Sequence, residues 1–363
     1  MMFDQSKLIA VVGGGNIGTQ FACAFADAGY KVNLLVSDPS IFNGELEIVD
    51  ESDNITRGTL NKVTSSYDDA VKDATIIFVT HPAFRLKTVA EQLLPFIDAS
   101  KSICVVPGTG GAEFSFSECV RKGAGLYGLQ RVPCVARLVQ RGKRVRCEGL
   151  RLRLHIGEFN GGKADELCRF FEQIWHIPCD KVPNYLNITL TPSNPILHTT
   201  RLKTLFGDYQ NNKIYDKNPL FYGEWSDESS RLLLACDDEL QNVVKLLDKM
   251  DLSYVKSLKI HYESNTAEEL TAKMQSIKSL HNLTSPMKQV EGGWIPDFGS
   301  RYFTADFPYG LAIIEEICAL LNYDAPNIRE TMAWYRTVTG DNRRLELSDY
   351  NIRNVEDLYA FYR

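Results

Sequence analysis

Two separated segments of the sequence carry residue types that acid–base chemistry uses. Residues 194–198 read NPILH, and the proline can begin a helix, so that His198 falls in the first helical turn. A histidine titrates near neutral pH and can therefore take up or release a proton during a reaction. Residues 301–310 read RYFTADFPYG and place the cation of Arg301 five residues before the carboxylate of Asp306. We expect Asp306 to hold the second ring nitrogen of His198, and Arg301 to bind a substrate carboxylate.

Both segments also have structural interpretations. A single histidine near a helix start is often a buried residue without a chemical role, and Asp306 could simply cap the helix that follows it. The residue types by themselves leave these alternatives open.

A glycine-rich turn near residue 13 predicts a second kind of site. Residues 13–18 read GGGNIG, which fits G-x-G-x-x-G, and lie between an apolar run and an amphipathic stretch with helical period. Glycines in this motif permit a tight turn, leave room for a pyrophosphate and let the helix pack close to the strand. The helix N-terminus then offers N–H groups to the phosphates, although a turn without a ligand is the alternative. The residues predicted to bind the cofactor here are Gly13, Gly14, Gly15, Asn16, Ile17 and Gly18.

The choice of cofactor depends on Asp38, which ends the second apolar run. It lies 20 residues after Gly18, within range of the acidic residue that binds a ribose 2′-hydroxyl. No basic residue follows before Arg57 to hold a 2′-phosphate. These observations favour NADH over NADPH, which stays possible, and the alternative for Asp38 is an aspartate that starts a loop before Pro39.

The elements that must position these residues are predicted from alternating strand and helix patterns. Apolar runs of strand length, apolar on both faces as in covered parallel strands, occupy residues 7–12, 32–36, 75–80 and 102–106. Residues 1–186 are therefore predicted to form an α/β Rossmann domain with a doubly wound, mostly parallel sheet. Residues 143–147 and 150–156 alternate apolar with basic side chains around Glu148-Gly149, which predicts an antiparallel hairpin.

Helical patterning dominates the rest of the chain. Residues 187–363 are predicted to form an all-α domain, with a cleft between it and the first domain. Its clearest helical segments are 231–250, 267–280, 309–321 and 327–338. The cluster FYGEW at 221–225 is interpreted as core rather than as a pocket wall, because aromatic clusters are more often core. His81, after the third run, is interpreted as an ordinary loop histidine.

Composition excludes several other classes of protein. The 363 residues carry a net charge of −6, the wrong sign for a general nucleic-acid binder, and the basic run at 131–153 fits a solvated strand face. No apolar run approaches the ~20 residues that span a bilayer, so no membrane association is expected. The nine cysteines form no CxxC pair and are interpreted as reduced thiols of a cytoplasmic protein. The six histidines show no paired spacing with them, so no metal site is predicted.

The two polar segments, taken together, resemble the signatures of a known family. N-P-x-x-H, followed far along the chain by R-Y-x-x-x-D-x-P-Y-G-L, is similar to the motifs of the opine dehydrogenases, the octopine/nopaline dehydrogenase group. The resemblance extends over nearly the whole chain, including LAIIEEICALLNYDAPNI at 311–328. It implies that NAD(P)H reduces the imine formed by an amino acid and an α-keto acid, typically pyruvate. It further implies that His198 and Asp306 are the acid–base pair and that Arg301 binds a substrate carboxylate.

Three further residues are candidate substrate contacts. Arg201 lies one helical step from His198 and is either directed at an acidic group of the substrate or solvated. Members of the resembled family use the turn at 107–114 and the segment around residue 130 near the keto acid, which makes Thr109 and Gln130 candidates.

Two other functions remain open on the sequence. A reductase of 2-keto or 3-hydroxy acids with the same layout would need no amine, and an NAD(H)-binding sensor would have no turnover. The oligomeric state expected is a monomer or a homodimer.

Overall fold

The computed structural model describes residues 4–210, 213–343 and 345–363. The chain forms two compact units, the first ending at Ile188 and the second starting at Thr189. The sequence-based boundary was placed two residues earlier, after residue 186.

An eight-stranded sheet forms the centre of the first unit. In chain order, the strands of this unit are β1 (Leu8–Val12), β2 (Lys31–Leu35), β3 (Glu45–Val49), β4 (Ile55–Thr59), β5 (Lys62–Thr64), β6 (Ala74–Val79), β7 (Ser102–Val105), β8 (Gly125–Leu129), β9 (Val135–Gln140), β10 (Arg144–Glu148), β11 (Leu154–Asn160) and β12 (Cys179–Lys181). The order across the main sheet is β12-β11-β8-β7-β6-β1-β2-β5. All neighbours are parallel except β11 and β8, which confirms the predicted doubly wound, mostly parallel sheet. β2 and β5 lie on one side of β1, and β6, β7 and β8 lie on the other. The strand order therefore reverses at β1, the place where such sheets bind ligands.

Helices of the first unit cover this sheet. They are α1 (Asn16–Asp27), α2 (Tyr67–Val71), α3 (Ala83–Leu93), α4 (Ala112–Ser115), α5 (Ser117–Arg121), α6 (Ala164–Trp175) and α7 (Leu186–Thr189). The core between α1, α6 and the sheet is aromatic, with the rings of Phe25 and Phe78 4.7 Å apart and Phe25 and Phe170 5.1 Å apart. Burying rings of this size supplies much of the free energy that holds α1 to the sheet.

A second, four-stranded sheet with the order β4-β3-β10-β9 packs on the outer side of α1. The approach is close, because a Cβ on Gly58 of β4 would lie 2.4 Å from the carbonyl oxygen of Cys23. This sheet corrects the predicted hairpin. The antiparallel partner of β10 is β9, whereas β11 belongs to the main sheet. Alternating side chains identify strands but not the strands with which they pair. Residues 149–153, between β10 and β11, form a connection in which Leu152 is 92% exposed.

Acidic partners accompany several of the basic residues at 131–153. Arg144 is paired with Glu47 of the neighbouring strand, and Arg153 lies 2.7 Å from Asp180. Arg146 lies 2.5 Å from Asp53. The charges of these three arginines are therefore balanced locally.

The second unit is helical, as predicted, with one addition. Its helices are α8 (Asn194–Phe206), α9 (Asp227–Leu246), α10 (Leu258–Tyr262), α11 (Ala267–Ser276), α12 (Lys278–His281), α13 (Arg301–Thr304), α14 (Ala312–Leu320), α15 (Pro326–Thr339) and α16 (Val355–Phe361). The addition is an antiparallel hairpin of β13 (Met287–Val290) and β14 (Gly293–Pro296), which the sequence analysis did not predict. Each strand has only four residues, too few for alternation to stand out.

Buried carboxylates help to join the helices of this unit. Glu239 of α9 accepts hydrogen bonds from the main-chain N–H groups of Asn327 and Ile328, which caps the N-terminus of α15. Asp237, fully buried on the same helix, accepts the N–H of Leu258 at 2.7 Å and so fixes the start of α10. Burial raises the pKa of Asp237 to about 7.

This raised pKa predicts how stability changes with pH. Between pH 3.8 and about 7 the folded protein holds the Asp237 proton more tightly than the unfolded chain does. The Asp237 contribution to stability is therefore fully present below pH 3.8, falls as pH rises to about 7 and then levels off, at a cost of roughly 2–4 kcal/mol. We expect Asp237→Asn to unfold at higher urea than the wild type at pH 8, and to lose that advantage at pH 4.5.

The neighbouring Asp238 supplies the control, because it is exposed and pairs with Lys259. We expect Asp238→Asn to change the free energy of unfolding by less than about 1 kcal/mol at either pH. Equal responses of the two variants to pH would contradict the assignment to Asp237.

Candidate active site

The glycine-rich turn joins β1 to α1 at the carboxyl edge of the main sheet. Gly13 has a φ of +111° and donates its N–H to the carbonyl oxygen of Leu35 at 2.9 Å. A Cβ on Gly18 would lie 1.6 Å from the carbonyl oxygen of Gly13, so this position accepts only glycine. The third glycine of the motif is therefore needed for the helix to pack against the turn.

Gly15 differs, because a Cβ there would meet no other atom within 4 Å. It is exposed and directly precedes α1. Gly14 lies between these extremes, since its Cβ would lie 2.5 Å from Val36. The open space at the helix N-terminus has the position expected for a bound phosphate.

Asn16 and Ile17 have structural contacts. The side-chain oxygen of Asn16 accepts the N–H of Leu138 at 2.9 Å, and Ile17 packs against the core. Any contact of these two residues with a cofactor would therefore come from their main-chain N–H groups.

His81, interpreted from the sequence as a loop residue, adjoins this turn. Its Nδ1–H donates to the carbonyl oxygen of Val12 at 3.1 Å, and its ring would lie 3.1 Å from a Cβ on Gly13. Burial lowers the pKa of His81, so the ring is neutral at physiological pH.

Asp38 caps the 3₁₀ turn Pro39–Ile41, and its carboxylate accepts the N–H and the hydroxyl of Ser40. These hydrogen bonds hold the pKa of Asp38 below its usual range, and the positive charge of Arg141 acts in the same direction. The side chain is exposed beyond the end of β2. The geometry thus matches the loop-starting interpretation and leaves the carboxylate ionised and accessible.

Thr109 and Gln130 follow the adjacent strands β7 and β8. Thr109 is half-buried in the turn before α4, and Gln130 is 6% exposed. The Gln130 amide nitrogen lies 3.4 Å from the carbonyl oxygen of Asn187. Both residues therefore lie on the same edge of the sheet as the glycine-rich turn.

In the second unit, the fold brings His198 and Asp306 together across 108 residues of sequence. Nδ1 of His198 lies 2.8 Å from Oδ2 of Asp306, and Nε2 lies 3.2 Å from the hydroxyl of Tyr222. His198 is 5% exposed, and the ring of Tyr302 lies 4.4 Å from it. An imidazole held by a carboxylate has a defined orientation and a stabilised charged form, as acid–base catalysis requires.

The two sequence segments meet because one glycine allows a close approach. Asp306 directly precedes a π-helical turn, Phe307–Leu311, which packs on the start of α8. A Cβ on Gly310 would lie 2.9 Å from Cβ and Cγ of Pro195. The proline and the glycine therefore set the distance that places Asp306 beside His198.

Arg301 is exposed at the start of α13, and its guanidinium lies 5.6 Å from the ring centroid of Tyr302. It forms no ion pair within 4.0 Å among the residues that the structure describes. The charge of Arg301 is therefore available to an anion.

Arg201 requires a correction. It is 2% exposed, so it is not solvated, and groups of its own unit surround its guanidinium. Its guanidinium donates to the carbonyl oxygens of Phe221 and Glu224 at 3.1 and 2.6 Å and to Ser229 Oγ at 2.9 Å. Burial lowers the pKa of Arg201 to about 10, so it stays charged. Three positions along α8 turn it away from Asp306, towards the 221–225 segment.

Replacing Arg201 should therefore affect stability. In Arg201→Met the three acceptors lose their donor, and we expect the free energy of unfolding to fall by roughly 3–5 kcal/mol, measured in urea. The exposed Arg231, 3.9 Å from Glu268, is the matched control, and Arg231→Met should cost less than about 1 kcal/mol. A stable Arg201→Met with weakened substrate binding would restore the original prediction.

Tyr222 is the site residue that the sequence analysis missed. It stood within the cluster interpreted as core, and it is indeed buried, at 6% exposure. Only its hydroxyl reaches His198, and no spacing relates residue 222 to residue 198 or 306. Among the described residues, no group of three potential metal ligands lies together, and no helix is long and apolar enough to cross a membrane.

Comparison with protein-family models assigns each half of the chain. Residues 181–339 match the family described as NAD/NADP octopine/nopaline dehydrogenase, alpha-helical domain. Residues 9–160 match the family described as ketopantoate reductase PanE/ApbA. The match to the octopine/nopaline dehydrogenase domain contains His198, Arg301 and Asp306.

Similar proteins match over nearly the whole length. An opine dehydrogenase from Haliotis discus hannai is 26% identical, and the alignment covers 92% of this chain and 90% of that protein. Among solved structures, octopine dehydrogenase with NADH and pyruvate has a TM-score of 0.78 at 22% identity, covering 92% of this chain and 89% of that one. The same enzyme with NADH and L-arginine has a TM-score of 0.79 at 22% identity, covering 92% and 90%.

Proposed function

We propose that the chain is an opine dehydrogenase, an NAD(P)-dependent oxidoreductase that acts on CH–NH bonds, because residues 181–339 match the alpha-helical domain of that family and an opine dehydrogenase aligns with 92% of the chain. The reaction is the condensation of an amino acid with an α-keto acid, pyruvate being the first candidate. The imine that forms is then reduced to a secondary-amine dicarboxylate. The pairing of His198 with Asp306 is the observation that carries this proposal.

His198 serves as the acid–base residue. Condensation requires the substrate ammonium to lose a proton and the hydroxyl of the carbinolamine to gain one before it leaves as water. The Asp306 carboxylate, 2.8 Å from Nδ1, stabilises the imidazolium between these two events. Arg301, exposed and without an acidic partner among the described residues, binds a substrate carboxylate.

The glycine-rich turn holds the dinucleotide, which supplies the hydride when bound. The open space before α1 takes the pyrophosphate, and the ionised Asp38 favours NADH by accepting a ribose hydroxyl. Thr109 and Gln130 lie on the same sheet edge and contact the keto acid. All nine cysteines are free thiols, which supports a reducing compartment such as the cytoplasm.

The experiment that tests this function follows NADH oxidation at 340 nm with pyruvate, with and without a mixture of the twenty amino acids. We expect oxidation only when both partners are present, and less with NADPH in a parallel series. Dividing the mixture would then identify the amine. Oxidation with pyruvate alone would contradict the proposal.

A simple keto-acid reductase is the second candidate, because residues 9–160 match the ketopantoate reductase family. It predicts NADH or NADPH oxidation that no amino acid increases. A sensor without catalytic activity predicts stabilisation by NADH and no turnover with any pair of substrates. The same assay, with a thermal-shift measurement, therefore separates all three.

A further inference from the structure

Both ring nitrogens of His198 are occupied by side chains of its own unit. Asp306 lies on Nδ1 and the Tyr222 hydroxyl on Nε2, at 2.8 and 3.2 Å. Tyr302 covers a ring face at 4.4 Å, and Phe221 approaches edge-on at 5.6 Å. With Asp306 on Nδ1, a proton exchanged at Nε2 passes by way of the Tyr222 hydroxyl that lies on that nitrogen.

The two partners differ in what they can do with a proton. An ionised carboxylate only accepts hydrogen bonds, so Asp306 stabilises positive charge on the ring. A phenol carries one donor and acceptor lone pairs, so the Tyr222 hydroxyl can donate to Nε2 and accept from a substrate at the same time. Burial raises the pKa of Tyr222 well above its usual value, and the residue stays a neutral phenol.

Resting on the function proposed above, we propose that the Tyr222 hydroxyl relays the proton between His198 and the substrate. When His198 acts as base, the phenol oxygen takes a proton from the substrate ammonium while its own proton passes to Nε2. The imidazolium formed is held at Nδ1 by Asp306. In the acid direction the transfers reverse, and the proton goes to the carbinolamine oxygen, whose C–O bond breaks to release water.

Two contacts give Tyr222 the rigidity that a relay needs. Its ring is stacked with Trp225 at 6.1 Å, and the indole N–H of Trp225 donates to Ser230 Oγ at 3.0 Å. Arg201 binds the carbonyl oxygens of Phe221 and Glu224 on either side. The buried arginine thus holds in place the segment that carries the hydroxyl.

The variant Tyr222→Phe tests the relay, because phenylalanine keeps the ring packing and removes only the hydroxyl. We expect kcat to fall roughly 10²–10⁴-fold, the range for a lost proton-transfer group, while the KM for NADH changes less than threefold. A supporting hydrogen bond without a relay role would lower kcat by no more than about tenfold. A fall below tenfold therefore overturns the proposal, and a larger fall supports it.

Tyr335→Phe is the matched control. Tyr335 is 1% exposed in the same unit, and its hydroxyl donates to Asp341 at 2.7 Å. This variant also loses one buried phenol hydrogen bond, and we expect its kcat to stay within threefold of the wild type.

A second readout does not depend on turnover. The ¹⁵N resonance of His198 Nε2, assigned by its absence in His198→Asn, should differ between the wild type and Tyr222→Phe but not in Tyr335→Phe. An unchanged resonance overturns the relay even in an active enzyme. If the resonance differs between the wild type and Tyr222→Phe, but the wild type turns over no pair of amino acid and keto acid, the hydrogen bond is supported and the proposed function is rejected.

Discussion

His198→Asn is expected to lower amino-acid-dependent NADH oxidation by roughly 10²–10⁴-fold. Asparagine keeps a polar side chain beside Asp306 but cannot carry a proton at neutral pH. Nucleotide binding should survive, because the glycine-rich turn belongs to the first unit. The measurements are kcat from absorbance at 340 nm and the NADH dissociation constant from fluorescence titration.

The control for this substitution is His176→Asn. His176 is exposed, and its φ of +54° is a conformation that asparagine adopts readily. We expect activity and stability close to those of the wild type. Comparable activity in the two histidine variants would remove His198 from the mechanism.

The glycine-rich turn yields the second large effect, a contrast between two alanine substitutions. Gly18→Ala places a Cβ 1.6 Å from the Gly13 carbonyl oxygen, so the main chain has to move. We expect a loss of roughly 3–5 kcal/mol in unfolding free energy, or failure to fold. Gly15→Ala adds a Cβ in open space, so the fold should stay within about 1 kcal/mol of the wild type.

Gly15→Ala should leave the fold stable and still weaken cofactor binding. Its added methyl group lies where the pyrophosphate would approach, and we expect NADH affinity to fall at least tenfold. Thermal unfolding with and without NADH measures both quantities in one experiment. Normal stabilisation of Gly15→Ala by NADH would place the nucleotide elsewhere.

The sequence was informative where chemistry imposes a local pattern. The strand, turn and helix around GGGNIG are predictable because the glycines have steric roles that only this arrangement explains. The pairing of His198 with Asp306 was foreseen from residue types and a family resemblance, since no local rule connects positions 108 residues apart. Their roles in catalysis stay predictions until the variants are measured.

Other features depend on tertiary contacts that no local pattern encodes. Alternation identified β10 and β11 as strands but could not identify their partners, and they lie in different sheets. Helical spacing placed Arg201 near His198 without revealing that main-chain carbonyls surround its guanidinium. The contact of Tyr222 with His198 was not predictable either, because only one hydroxyl group distinguishes a core aromatic residue from a partner of His198.

The contact between Gly310 and Pro195 has a consequence for how this chain can diverge. A side chain at position 310 would collide with the proline ring, so neither position can change freely while the other stays as it is. The two should therefore covary: homologues that gain a side chain at 310 should have exchanged the proline at 195 for a smaller residue. Divergence at these positions therefore requires paired replacements, because replacing Gly310 alone would push the two segments apart and separate Asp306 from His198.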